Sequence, residues 1–134
     1  MQSNTAEMQA LMAASKQQFL DENMRPGEVY AGLLLGENGA RDTHIFIPPG
    51  STSDTWDHCM AWAEELGGSL PTRREQRLLF ANAKAAFAPK WYWSCEQHAG
   101  FSAYAWVQDF HGGTQLYILK SSTGHARPVR RLEI

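Results

Sequence analysis

Cysteine is scarce in this chain: Cys59 and Cys95 are the only two among 134 residues. Two thiols without CxxC spacing make neither a disulfide framework nor a zinc or redox motif, so both are read first as packing residues. Long apolar runs are missing too. No stretch approaches the roughly 18 uninterrupted apolar residues of a membrane span. The start, MQSNTAEMQALMAASKQQF, lacks the basic residues and apolar run of a secretory signal. The chain is therefore expected to work in solution inside a cell, with no membrane partner. The five histidines (His44, His58, His98, His111 and His125) show no HExxH or paired-ligand spacing, so no metal and no cofactor is expected. Phosphate loops, GxSxG and paired carboxylates are absent as well, which argues against an enzyme.

What is present is enough apolar material, 43% of the residues, for one domain with a real core and an N-terminal appendage. Charge is divided along the chain. Residues 1 to 65 carry 3 basic and 10 acidic side chains, whereas residues 66 to 134 carry 9 and 4. Such a dipolar chain is able to offer a basic face to an anionic partner, although mixed charge is commonly no more than a solvated surface.

Residues 5 to 22 are rich in helix formers and place Met8, Leu11, Met12, Ser15, Phe19 and Leu20 on roughly one thin stripe, until Pro26 and Gly27 end the helix. Next, VYAGLLL and THIFIP, joined by GENGARD, read as a β-hairpin. STSDTWDHCMAWAEELGG reads as an N-capped helix with Trp56, Cys59, Met60, Ala63 and Leu66 on one face and Gly67 as its stop. A second helix opens with a Thr72/Glu75 capping box and carries Leu78, Leu79 and Ala86 on its apolar stripe, with Ala83 at the edge. Asn82 falls within that stripe and is expected to bond backbone in a neighbouring loop. Arg73, Arg74 and Arg77 crowd the first turns, against the helix macrodipole, and suit a salt bridge or a partner better than helix stability.

After Pro89 the chain reads as β-structure. In WYWSCEQH, Trp91 and Trp93 point to one face and Tyr92 to the other, with Glu96, Gln97 and His98 expected where strand gives way to loop. SAYAWVQDF alternates, with Tyr104, Trp106, Gln108 and Phe110 on one face and Ala103, Ala105 and Val107 on the other. HGG is a hairpin turn, TQLYILK the return strand, SSTGH a loop, and ARPVRRLEI an edge or partly paired strand because of Pro128. Cys95 beside His98 invites a thiol-imidazole reading. A continuing strand would point the two to opposite faces, and no orienting Asp or Asn can be assigned.

GEVYAGLLLGENGARDTHIFIPPG, TWDHCMAWAEELGGSLPTRREQRLLFANAK, WYWSCEQH, YAWVQDFHGGTQ and ARPVRRL resemble, in that order, a bacterial and phage domain family of mostly unknown function. That family is related to the C-terminal domain of collagen-like bacterial adhesins and has a C-type-lectin-like fold. The resemblance covers residues 26 to 134, and LPTRRE, WYWS followed by Glu96, YAW and RPVRRL are its most specific pieces. It implies an α+β, C-type-lectin-like domain with two helices packed on a twisted antiparallel sheet. Residues 1 to 25 stand outside as an extra helix, an arm for a partner or for a homo-oligomer. The calcium-binding E-P-N and W-N-D signatures of sugar-binding C-type lectins are absent. A serine is usual in the family where Cys95 stands. A distant relative by fold, the formylglycine-generating enzyme, works through reactive cysteines, which leaves the reactivity of Cys95 an open question.

The leading expectation is a non-enzymatic phage or prophage binding module that recognises a host protein or glycan through the loops and strands of its C-terminal sheet. Its candidate contact residues are Glu96, His98, Tyr104, Gln108, His111, Gln115, Tyr117 and His125. The alternative is an intracellular phage inhibitor of a host defence complex that acts by protein-protein contact. Host cytoplasm is the expected location, with the virion as the other choice. Nucleic acid, reached through Arg73, Arg74, Arg77, Arg127, Arg130 and Arg131, ranks below both.

Overall fold

The computed structural model describes residues 2–134, with side chains from residue 4 onward. In chain order the elements are α1 (Gln2–Asn23), β1 (Val29–Leu34), β2 (Thr43–Ile47), β3 (Thr52–Asp54), α2 (Trp56–Glu65), α3 (Arg73–Ala83) with a single 3₁₀ turn (Lys84–Ala86), β4 (Trp91–Gln97), β5 (Tyr104–Asp109), β6 (Gln115–Leu119), β7 (Gly124–Ala126) and β8 (Arg130–Glu133). The class is α+β. Instead of the one antiparallel sheet expected, there are two sheets, ordered β1-β2-β8 and β3-β7-β4-β5-β6. The larger is mixed, because β7 lies parallel to β4 where His125 meets Tyr92.

Two local differences from the sequence reading create that mixed sheet. Thr52–Asp54, expected to lead into a helix, is strand β3, and the SSTGH segment, expected to be loop, supplies the first residues of β7. Gly124 makes β7 fit: a Cβ there would stand 2.1 Å from the Trp91 ring and 2.6 Å from the Trp93 indole nitrogen. Helix α2 then begins after Thr55, whose N–H bonds Asp54 Oδ1 at 2.7 Å. Gly67, at φ 78°, ends it as expected.

Alternation along β4 divides the core. Tyr92 joins Ile45, Ile47, Leu79, Phe87, Phe110 and Val129 on the α3 side, while Trp93 joins Cys59, Ala63, Leu70, Val107 and Ala126 on the α2 side. Helix α3 carries the full capping box, Thr72 accepting from Glu75 N–H and the Glu75 carboxylate accepting from Thr72 N–H. Asn82 does bond backbone, though at a strand and not a loop. In β1 the register slips between Tyr30 and Gly32, and the displaced Ala31 carbonyl accepts from Asn82 Nδ2 at 2.7 Å. Gly32 is required beside it, since a Cβ there would approach that amide to 2.9 Å.

Helix α1 meets the domain only near its C-terminal end. Phe19 packs on Tyr30, His44 and Phe46. Met8, Leu11 and Met12 are exposed, and hydropathy is nearly even around the helix, so the apolar stripe expected from the sequence is not a separate face. Among the described residues no helix is long and apolar enough to cross a membrane.

The arginines of the closing RPVRR segment are all bonded within the chain, although Arg131 itself is exposed. Arg127 donates to the carbonyls of Ala86 and Pro48, and its guanidinium lies over the Phe87 ring. Arg130 forks onto Glu28 at 2.7 and 2.8 Å, donates to Asn23 O at 2.9 Å and covers Phe46. Arg131 grips Glu75 with two bonds of 2.6 and 2.7 Å. These three side chains tie distant parts of the chain together, which explains their density near the C-terminus without a nucleic-acid partner.

Candidate aromatic contact site

Antiparallel pairing sets Trp106 of β5 directly opposite Tyr117 of β6, and Tyr104 opposite Leu119. Odd and even positions alternate between faces, so Tyr104, Trp106, Gln115 and Tyr117 share one face. His98 follows β4 and brings its ring to the same place. It stacks on Trp106 with centroids 5.3 Å apart and packs on Tyr117 at 4.3 Å and Phe101 at 5.0 Å. Two backbone N–H groups, of Gly100 and Phe101, bond His98 Nδ1 at 3.0 and 3.1 Å. That pair of bonds makes Nδ1 an acceptor, assigns the ring proton to Nε2, and shapes the turn that lifts Phe101 over the strands.

Phe101 is 56% and Tyr117 41% exposed, and together with Tyr104 they line a hollow of about 210 Å³. Edge-to-face contacts of Tyr104 with Tyr117 and with Phe101 hold the walls, at 5.7 and 6.1 Å between centroids. Beside the hollow the row of rings ends on a cation. The Arg73 guanidinium lies 3.5 Å from the centre of Trp106 and donates to Gln115 Oε1 at 3.2 Å.

Three of the expected contact residues, His98, Tyr104 and Tyr117, meet at this hollow. Gln115 and Glu96 stand at its margin with work of their own: Gln115 Nε2 donates to Arg73 O at 2.7 Å, and Glu96 accepts from Arg73 N–H at 2.7 Å. Both tether the first residue of α3 to the sheet, and the Glu96 carboxylate suits that helix N-terminus. Glu96 and Gln97 also belong to β4 and not to a loop.

The other three lie elsewhere. Gln108 is only 1% exposed, beneath α3, because the face it shares with Tyr104 passes under the helix before reaching Phe110. His111 sits in the turn at the far end of the β5–β6 hairpin. There its N–H and that of Gly112 bond Asp109 and hold that carboxyl below its ordinary range. His125, in β7, packs at a tilt on Tyr92 and approaches Ser53 Oγ at 3.3 Å, two strands from Trp106.

Phe101 and Trp106 belong to the site although neither was among the expected contacts. The alternation that marked Tyr104 also contained Trp106, whereas Phe101 stands in a turn with no periodic signal. Arg73 was conspicuous in sequence for opposing the helix dipole, and stacking on Trp106 supplies the reason.

The thiols are placed apart from this site. Cys59 is fully buried, and burial pushes its thiol up to about 11. Cys95 packs toward the α2-side core, opposite the face that holds His98, and burial raises its thiol also. A thiolate activated by His98 is therefore not built. Among the described residues, no three His, Cys, Asp or Glu side chains come together to hold a metal ion. No protein-family model matches the chain, and none of the curated proteins matches it.

Proposed function

We propose that the chain is a non-enzymatic binding module of phage or prophage origin that holds a protein or glycan ligand on the aromatic hollow of Phe101, Tyr104 and Tyr117. The observation that carries the reading is this group of rings, with Phe101 and Tyr117 exposed and Tyr104 half-buried, flanked by His98, Trp106 and Arg73. Aromatic side chains present large contact area with few rotatable bonds, and rings already packed on one another lose little freedom on binding. Tyrosine hydroxyls and the His98 Nε2–H supply polar contacts at the rim.

The phage origin and the C-type-lectin-like reading of the fold rest on the resemblance of residues 26–134. The arrangement of two helices over two sheets, with β1 and β8 in the same small sheet, is compatible with them. The turns of α1 that carry Met8, Leu11 and Met12 are the proposed arm for self-association.

The test is retention on a glycan array and on fractionated host lysate, comparing the wild type with Phe101→Ala and Tyr104→Ala. A ligand lost in both variants, with thermal midpoints close to wild type, is the expected result. Undiminished retention by both folded variants would remove the hollow from the function.

A further inference from the structure

The two sheets have four edge strands, and three are blunted. β1 is interrupted by its bulge at Ala31, β3 is a three-residue polar strand ending in Asp54, and β8 carries Arg130, Arg131 and Glu133. β6, Gln-Leu-Tyr-Ile-Leu, has no charge, no proline and an unbroken register with β5. Its Leu116, Tyr117 and Leu119 are 40 to 44% exposed.

The direction of its backbone groups follows from the ladder. Lys120 N–H bonds Ala103 O at one end of the β5–β6 pair, and Asp109 N–H bonds Thr114 O at the other. Hydrogen-bonded pairs alternate in an antiparallel ladder, so Leu116 and Ile118 turn their backbone groups toward β5. Gln115, Tyr117 and Leu119 turn theirs outward. The Leu119 carbonyl is taken by Ser122 N–H; the remaining outward groups have no partner among the described residues. The outward residues are also those whose side chains lie on the aromatic face.

We infer that β6 is a docking edge for an extended segment of a partner protein, which adds a sixth strand and sets an apolar side chain opposite Tyr117, against the aromatic hollow. This rests on the proposed binding function and specifies its ligand. An alternating row of N–H and C=O groups is matched by another strand, whereas the side chain opposite Tyr117 lies within about 5.5 Å of it on the same face. Charge at the two ends adds selectivity. β6 begins beside Arg73 and is followed by Lys120, so the segment is expected to be apolar at alternate central positions and acidic at its flanks. A second copy pairing β6 to β6 antiparallel would bring the like charges of Arg73 and Lys120 together across the seam. It would bury little beyond two five-residue strands, far short of the roughly 1,000 Å² of a specific protein pair.

The experiment pans the full-length chain against a displayed library of random dodecapeptides, then titrates the enriched peptides by fluorescence anisotropy against wild type, Leu119→Pro and Tyr104→Ala. Proline at Leu119 removes an outward N–H and no bond of the β5–β6 ladder. The expected result is an alternating apolar motif with acidic flanks, and affinity about tenfold or more weaker in Leu119→Pro. Amide exchange of Tyr117 and Leu119 in the wild type is expected to slow on peptide addition, and this decides the matter if the proline variant does not fold. Peptides that need Tyr104 but ignore Leu119→Pro, with both amides unprotected, would overturn the docking edge and leave the aromatic site standing. An empty selection would overturn it too, with glycan retention then judging the binding function separately. Concentration-dependent dimers abolished by Leu119→Pro would assign the edge to a second copy and equally overturn it.

Discussion

The small sheet and the outer half of the large one are finished in opposite ways. Around β1-β2-β8, charge is turned inward and paired: Glu28 and Arg130 are 2% and 13% exposed at the side chain, bonded bidentately and covered by Phe46 and the end of α1. Around β5–β6, rings face outward and the edge backbone is free. Charged clamps of the first kind leave little to bind, since their hydrogen-bonding capacity is spent within the chain. The second region has uncommitted aromatic area and uncommitted backbone groups side by side. The proposed binding function draws on β5–β6 and stability on the clamps, and substitutions can separate the two.

The largest effect is expected from breaking the clamp. Glu28→Ala leaves the half-buried Arg130 guanidinium without its carboxylate partner, which costs about 2–3 kcal/mol. Denaturant titration should show this as a lower midpoint, and the peptide or glycan retained by the hollow should bind unchanged wherever the variant is folded. Acid tests the same pair. The hydrogen bond from Arg130 holds the Glu28 carboxyl below its ordinary value of 4.5. Its contribution is therefore fully present above that pH and declines as pH falls toward the lowered folded value. Glu28→Gln is expected to flatten the stability profile in this acid window, and an unaltered slope would assign the acid loss to other carboxyls.

Gly124→Ala probes the fit of β7 against the tryptophans of β4. The added methyl meets the Trp91 and Trp93 rings well inside contact distance. A destabilisation of about 1–3 kcal/mol is expected, read by the same titration and by a change in tryptophan fluorescence. A smaller loss, about 1 kcal/mol, is expected for Thr72→Ala, which removes the cap of α3. Since Arg73 is the next residue and flanks the hollow, this variant should also weaken ligand retention. Retention unaffected by an uncapped α3 would show that Arg73 is positioned by Glu96 and Gln115 alone.

Much of the molecule was legible before any coordinates. The capping box at Thr72, the stop at Gly67, the hairpin from Val29 to Ile47, the shared face of Tyr104 and Trp106 and the buried place of Cys59 all follow from local chemistry. Each depends on neighbours within a few residues, where propensity and periodicity act directly. The site was legible in part for the same reason: alternation marked Tyr104 and Tyr117, and it marked Gln108 equally, because periodicity names a face without saying where a helix will cover it.

What the sequence by itself determined is the order of the helices and the longer strands, the capping box of α3, the glycine stop of α2, and which side chains share a face; the side-chain cap expected for α2 is not formed. Only the tertiary structure decided that Gln108 is buried while Tyr104 stays half-exposed, that His98 packs onto Trp106, and that the C-terminal arginines clamp Glu28 and Glu75. It also decided that Gly124 enters a parallel strand and that β6 is left as the unblunted edge. Those outcomes join residues tens of positions apart, and they are set by the packing of whole elements against each other, a cooperative choice that no short window of sequence contains.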